Sequence, residues 1–130
     1  MANPNIVSVT GITAGTLGWN LPTGGLVNLI DPDTNYLLKI NRIVVANVDG
    51  SSAADVDVAI VTAAQTFTNT TVTGADATTY LAKTISVPAD SSRVISATPI
   101  ELREGDNLQA QASASGDLDL TITFELLTAV

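Results

Sequence analysis

An antiparallel β-sandwich of about eight strands, jelly-roll or Ig-like, is the fold this sequence predicts. Three observations lead there. In the last strand Leu118, Leu120, Ile122, Phe124 and Leu126 fall on one face, and Asp117, Asp119, Thr121, Thr123 and Glu125 on the other. Side chains alternate sides along a strand, so this spacing means one buried and one wet face. Turn residues recur about every 8 to 12 positions, and no apolar period of helical length interrupts them.

The elements follow in order. Residues 1–21 read as an extended N-terminal arm: Asn3-Pro4-Asn5, the apolar run from Ile6 to Val9, then Gly and Thr up to Trp19, with no charge before Asp31. Such a segment suits packing on its own sheet or on a neighbour. Residues 22–130 then form one sandwich domain. Leu26–Ile30 is a short strand, closed by Asp31-Pro32-Asp33-Thr34-Asn35, whose side-chain hydrogen bonds and fixed proline φ favour a turn. Tyr36–Val48 is the longest strand, with Leu38, Ile40, Val44, Ala46 and Val48 expected on one face and Arg42 interrupting them. Asp49-Gly50 signals a hairpin into Asp55–Thr62, with Val56, Val58 and Ile60 inward. Phe67–Thr73 is a Thr-rich edge candidate. Thr79–Val87 places Leu81, Ile85 and Val87 inward with the stem of Lys83. Arg93–Ala97 and Pro99–Leu102 make a short pair broken at Pro99, and Glu104-Gly105-Asp106 opens the last hairpin. The echoes of Tyr36-Leu37-Leu38-Lys39 in Tyr80-Leu81-Ala82-Lys83, and of Asp55-Val56-Asp57-Val58 in Asp117-Leu118-Asp119-Leu120, have different offsets. They reflect shared strand rules rather than a repeat.

Composition narrows the function. With 130 residues, the chain is one domain with room for a real core. Hydrophobic residues make up 45% and aromatics only 4%, so Val, Ile, Leu and Ala must build that core. A mean hydropathy of +0.33 with 14% charged residues is high for a small monomer and predicts surface hidden in an assembly. The net charge of -8 repels phosphate backbones, which argues against nucleic acid. No apolar run approaches the roughly 20 residues of a membrane span, so no membrane partner is expected. No charged leader precedes an apolar run either, as expected of an untargeted protein made in a cytoplasm and released later by another route such as lysis.

Chemistry finds little to work with. There is no His to activate a nucleophile and no Cys to be one. Lys39 and Lys83 lie within strands, and no Ser holds a nucleophile-elbow context. No pair of acids stands beside aromatics that would stack on a sugar. Asp31, Asp33 and Asn35 have the spacing of a calcium loop's first ligands, but Tyr36 and Arg42 stand where its Gly and Glu belong, so a plain turn is expected. Asp55/Asp57 and Asp117/Asp119 would share an ion only if their strands were neighbours. No enzyme activity, cofactor or metal is therefore expected.

The runs YLAKTISVPADSSRVI and IELREGDNLQAQASASGDLDLTITFEL resemble small virion structural proteins of tailed phages, cyanophages included. The likeness covers Tyr80 to Glu125, extends loosely to residues 37–53, and leaves the arm unaccounted for. It implies a non-enzymatic sandwich of the capsid decoration (cement) type. Such a protein would be a homotrimer that binds the major capsid protein, made in the host cytoplasm and carried on the capsid surface of the virion. A neck or tail accessory protein and a carbohydrate-binding module for host attachment are the alternatives. In the arm, Ile6, Val7, Trp19 and Leu21 are the candidate partner-binding residues, although Trp19 serves equally well as a core plug.

Overall fold

The computed structural model describes residues 9–66, 73, 74 and 76–129. The fold is all-β. Its strands are β1 (Val9–Asn20), β2 (Val27–Ile30), β3 (Tyr36–Asn47), β4 (Ala54–Thr62), β5 (Gln65–Thr66), β6 (Thr73–Gly74), β7 (Ala77–Val87), β8 (Ser92–Ser96), β9 (Ile100–Leu102), β10 (Asn107–Ala112) and β11 (Leu118–Ala129). One sheet runs β1-β11-β3-β8, with β9 following β8 along the same side of β3. The other runs β2-β10-β4-β7, and β5 pairs with β6 apart from both. All of these pairings are antiparallel.

The order decides between the two expected topologies. With β8 and β9 counted as one interrupted strand and the β5–β6 pair as an insertion, first pairs with last, second with next to last, and so on to β4 with β7. A long hairpin rolled up on itself gives that nesting. The fold is a jelly roll.

Rolling has a local consequence that turn signals do not reveal. β3 and β4 lie in different sheets, so Asp49-Gly50 is not a hairpin but a corner that carries the chain across the sandwich. Side chains build that corner. Asp49 accepts from the Ser51 N–H (3.1 Å) and the Ser52 N–H (3.2 Å), and Asn47 Oδ1 accepts from the Asp49 N–H (2.9 Å). Asn47 is buried, and its amide also donates to the carbonyls of Ser52 and Val87, each at 2.9 Å. Glu104-Gly105-Asp106 is likewise a corner, from β9 to β10. There the buried Asp106 accepts from the N–H groups of Ala63 (3.0 Å) and Arg103 (3.1 Å).

The inner faces follow period two until a bulge resets them. β11 behaves as expected: Leu118, Leu120 and Ile122 are fully buried, and Phe124 and Leu126 pack on the core. β3 does not. Phe124 pairs with Ile40 and Thr123 with Arg42, so Asn41 is an extra residue. Past it the parity flips, and Ile43, Val45 and Asn47 point inward where Val44, Ala46 and Val48 were expected. The bulge also turns Arg42 out to solvent, which removes the interruption. Two shifts in the β4–β7 ladder do the same for β7. There Ala82 and Val87 are buried while Leu81 and Ile85 stay exposed. On β4, Val56, Val58 and Ile60 are buried as expected. The Phe67–Thr73 strand expectation falls on residues 67–72, outside the described residues, apart from Thr73 in β6.

The largest departure concerns the arm. Val9–Asn20 is the edge strand β1, paired with β11 in unbroken register from Gly11↔Thr128 to Asn20↔Asp119. Leu21 marks the crossing between sheets: its N–H reaches the Leu118 carbonyl of β11 (2.8 Å), and the next carbonyl, of Pro22, accepts from Ala112 on β10 (2.9 Å). Residues 9–21 are thus structurally part of the sandwich. Glycine makes room within it, because a Cβ on Gly15 would stand 2.8 Å from Cζ of the Phe124 ring lying over it.

Two substitutions check this docking. Gly15→Val forces the Phe124 ring away and is expected to cost about 1–3 kcal/mol in urea unfolding, the scale of an overpacked core. Gly18→Val, whose added Cβ meets nothing nearer than 3.6 Å, is expected to stay within about 0.5 kcal/mol of the parent. Equal effects at the two positions would mean that β1 is not seated on β11 as described.

Candidate functional site

A polar-walled hollow, about 280 Å³, lies on the outer face of the β2-β10-β4-β7 sheet, with Asp55, Asp57, Thr84, Gln111 and Ser113 among its walls. β4 alternation turns Asp55 and Asp57 outward, opposite its buried valines. Asp57 is the hub. Its Oδ1 accepts from the Thr84 N–H at 2.6 Å, and its Oδ2 from the Gln111 amide at 2.7 Å. Lys83 Nζ stands 3.7 Å from the same Oδ2 and 4.3 Å from the centre of the Tyr80 ring.

This arrangement is built to hold strands. Thr84 sits at φ 53°, in the left-handed region that a β-branched residue rarely enters. Its N–H, turned out of the ladder by the bulge, is satisfied by Asp57. Burial pushes the Asp57 carboxyl up. The Thr84 N–H, the Gln111 amide and Lys83 outweigh that effect and leave it below the ordinary aspartate range. A carboxyl kept ionised in this way is the opposite of a general acid. The interaction with Tyr80 and, after it, the nearby Asp57 charge raise Lys83 above the ordinary lysine value.

A second hollow, about 360 Å³, opens at the end of the sandwich, where Ile30, Pro32, Tyr36, Leu38, Phe124 and Leu126 give it apolar walls. The Asp31–Asn35 turn forms its lip, with Tyr36 N–H donating to the Asp33 carbonyl (3.2 Å) and Asn35 at φ 67°. That is the geometry of a turn, as the sequence suggested. The two Asp-x-Asp pairs never meet, because β4 and β11 belong to different sheets. Asp119 instead accepts from the Asn20 amide at 2.8 Å. Among the described residues no three or more His, Cys, Asp or Glu gather as a metal would need.

Of the four candidate partner-binding residues, Ile6 and Val7 lie outside the described residues. Leu21 is 0% exposed in the core of its own sandwich, so its assignment to a partner contact is corrected: no surface remains for another protein to touch. Trp19 is half-buried on the inner face of β1 and packs on that core, which favours the plug. What the sequence reading missed is Ile12, 63% exposed, and Leu17, 42% exposed, on the same strand. The signal in the sequence is the uncharged run up to Asp31, which suits an edge strand as well as an arm.

No family model matches the chain, and no curated protein matches it. Among solved structures, a chain from Bacillus endospore appendages, described as a novel family of disulfide-linked pili, is similar to it. The match covers 100% of this chain and 96% of that one, at 14% identity and a TM-score of 0.46. This chain has no cysteine. The structure establishes a small all-β protein with a sandwich fold.

The Asp57 hub has a pH signature. A carboxyl held below its unfolded-state value stabilises the fold above that value, and the contribution disappears as pH falls through the lower folded value. Asp57→Asn is expected to unfold at a lower temperature than the parent near neutral pH. The gap should close as pH drops from about 5 to about 2. A gap that is constant across a thermal-unfolding pH series would show that the charge on Asp57 does not hold β4, β7 and β10 together.

Proposed function

We propose that this chain is a non-enzymatic structural protein, present in many copies on a larger assembly, and that the assembly is a virion whose capsid surface it decorates. One observation carries the structural part of this reading. The polar groups that cluster outside the core are engaged in closing bulges and corners, while a long strand edge with exposed Ile12 and Leu17 is left uncharged. An uncharged strand edge flanked by exposed apolar side chains is a surface that another protein can cover. The virion part is supported by the resemblance carried by Tyr80–Glu125 and by the jelly roll, an architecture common in viral capsids. Cementing then means association: modest contacts to the major capsid protein, repeated over many copies, hold neighbouring shell subunits together.

A sugar-binding jelly roll has less support. Stacking platforms need exposed aromatics, and among the described residues Tyr80 alone is exposed, with Lys83 over its ring. Quantitative mass spectrometry of purified particles tests the placement. Hundreds of copies per particle are expected for a decoration protein. Six or twelve would move the protein to the neck or tail, and its absence from particles would reject the virion reading.

A further inference from the structure

Each of the two large sheets ends in two strands whose outer row of N–H and C=O groups has no neighbouring strand among the described residues. Such a row is a template for any passing strand, and natural sheets blunt it with charge, proline, bulges or shortness. Three of the four ends are blunted here. β2 has four residues and runs into Asp31-Pro32. β7 is bent by two register shifts and carries Lys83, and the carbonyl of its Ser86 is capped by Arg93 at 3.3 Å. β8 has five residues, and the strand resumes as β9 only after Pro99.

β1 has little of this defence, its one irregularity being a register shift at its very start, between Val9 and Gly11. It is twelve residues long, contains no proline and no charge, and keeps an unbroken register on β11 from Gly11 to Asn20. Ile12 stands exposed on its outer face and Leu17 on its inner face, so apolar side chains flank the open row on both sides. The acids nearest to it, Asp119 and Glu125, lie one strand back and are engaged by the amides of Asn20 (2.8 Å) and Asn41 (3.5 Å).

We propose that β1 is a self-association edge, along which β1 of a second copy of this chain docks antiparallel. The two five-stranded sheets then join into one across a two-fold axis. Charge selects the occupant. At -8, two copies repel each other over most of their surfaces, and β1 is where they can meet with no charge on either strand. An uncharged edge also offers nothing for a basic partner to recognise, so its complement is another uncharged edge, and this strand supplies one. The pairing is isologous: each residue meets one of the same face, and Ile12 and Leu17 of each copy are covered by the other. A strand seam is smaller than the standard interface of about 1,600 Å², so the pair forms at micromolar rather than nanomolar concentration. The inference deepens the assembly reading by naming one partner. Because it is measured on the purified chain, its failure is separable from a failed copy number on particles.

Sedimentation equilibrium over a concentration series is expected to show association to twice 13.3 kDa. The double variant Ile12→Lys, Thr16→Lys, checked for folding by circular dichroism, is expected to stay monomeric. It lowers the net negative charge, so general repulsion would predict stronger association instead. Val94→Lys, at the opposite edge of the same sheet, is expected to leave the pair intact. Since the chain has no cysteine, single Ala14→Cys, Thr16→Cys and Gly18→Cys variants report the seam directly, and at least one is expected to trap a covalent dimer on mild oxidation. Monomer at every concentration, a three-fold mass, or association unaffected by the double lysine variant would overturn the proposal. So would trapping through Val94→Cys but not through β1.

Discussion

β11 is the strand on which the rest of the structure depends. It is hydrogen-bonded along both sides, to β1 through Asn20↔Asp119 and its neighbours and to β3 from Leu118↔Asn47 to Thr128↔Tyr36. Its inner face supplies Leu118, Leu120 and Ile122 to a core that is almost wholly aliphatic. Side chains of this kind pack by interdigitation, with Trp19 and Phe124 only at the margin of the core, so the two sheets must present their apolar rows in step. The bulge at Asn41 meets that demand. It advances β3 by one residue against β11, so that Ile43 and Val45 turn inward and Arg42 outward.

The same demand governs the corners. In a rolled hairpin nearly every connection leaves one sheet for the other, and each crossing strips backbone groups of ladder partners at the rim of the core. Asn47 and Asp106 stand where those losses would be greatest, buried and hydrogen-bonded to backbone groups of neighbouring segments. Both polar side chains are explained by the architecture, and neither needs a catalytic role.

Much of this was legible in the sequence, and the remainder was hidden for physical reasons. Fold class, most strand positions and the whole inner face of β11 follow from alternation and turn chemistry. The bulges do not, because an extra residue such as Asn41 changes parity without a distinctive local composition. Nor does Asp49-Gly50 announce whether it closes a hairpin or turns a corner: the same local hydrogen bonds serve both, and long-range pairing decides. β1 resembles an arm in sequence because its glycines and threonines leave only a sparse inner row, in which Leu17 and Trp19 stand out. The Asp57 hub joins residues 27 and 54 positions apart from it, Thr84 and Gln111, which no spacing rule connects.

The nesting of the strands also sets an order in time. β1 is the first described strand to be synthesised, and its only ladder partner among the described residues, β11, is the last. On a growing chain, β1 therefore waits with both of its edges open while the nine described strands between the two emerge, and high contact order makes the eventual closure slow. An uncharged, apolar segment in that position is exposed to premature pairing between nascent copies. Rapid synthesis would therefore favour tangled oligomers over finished subunits.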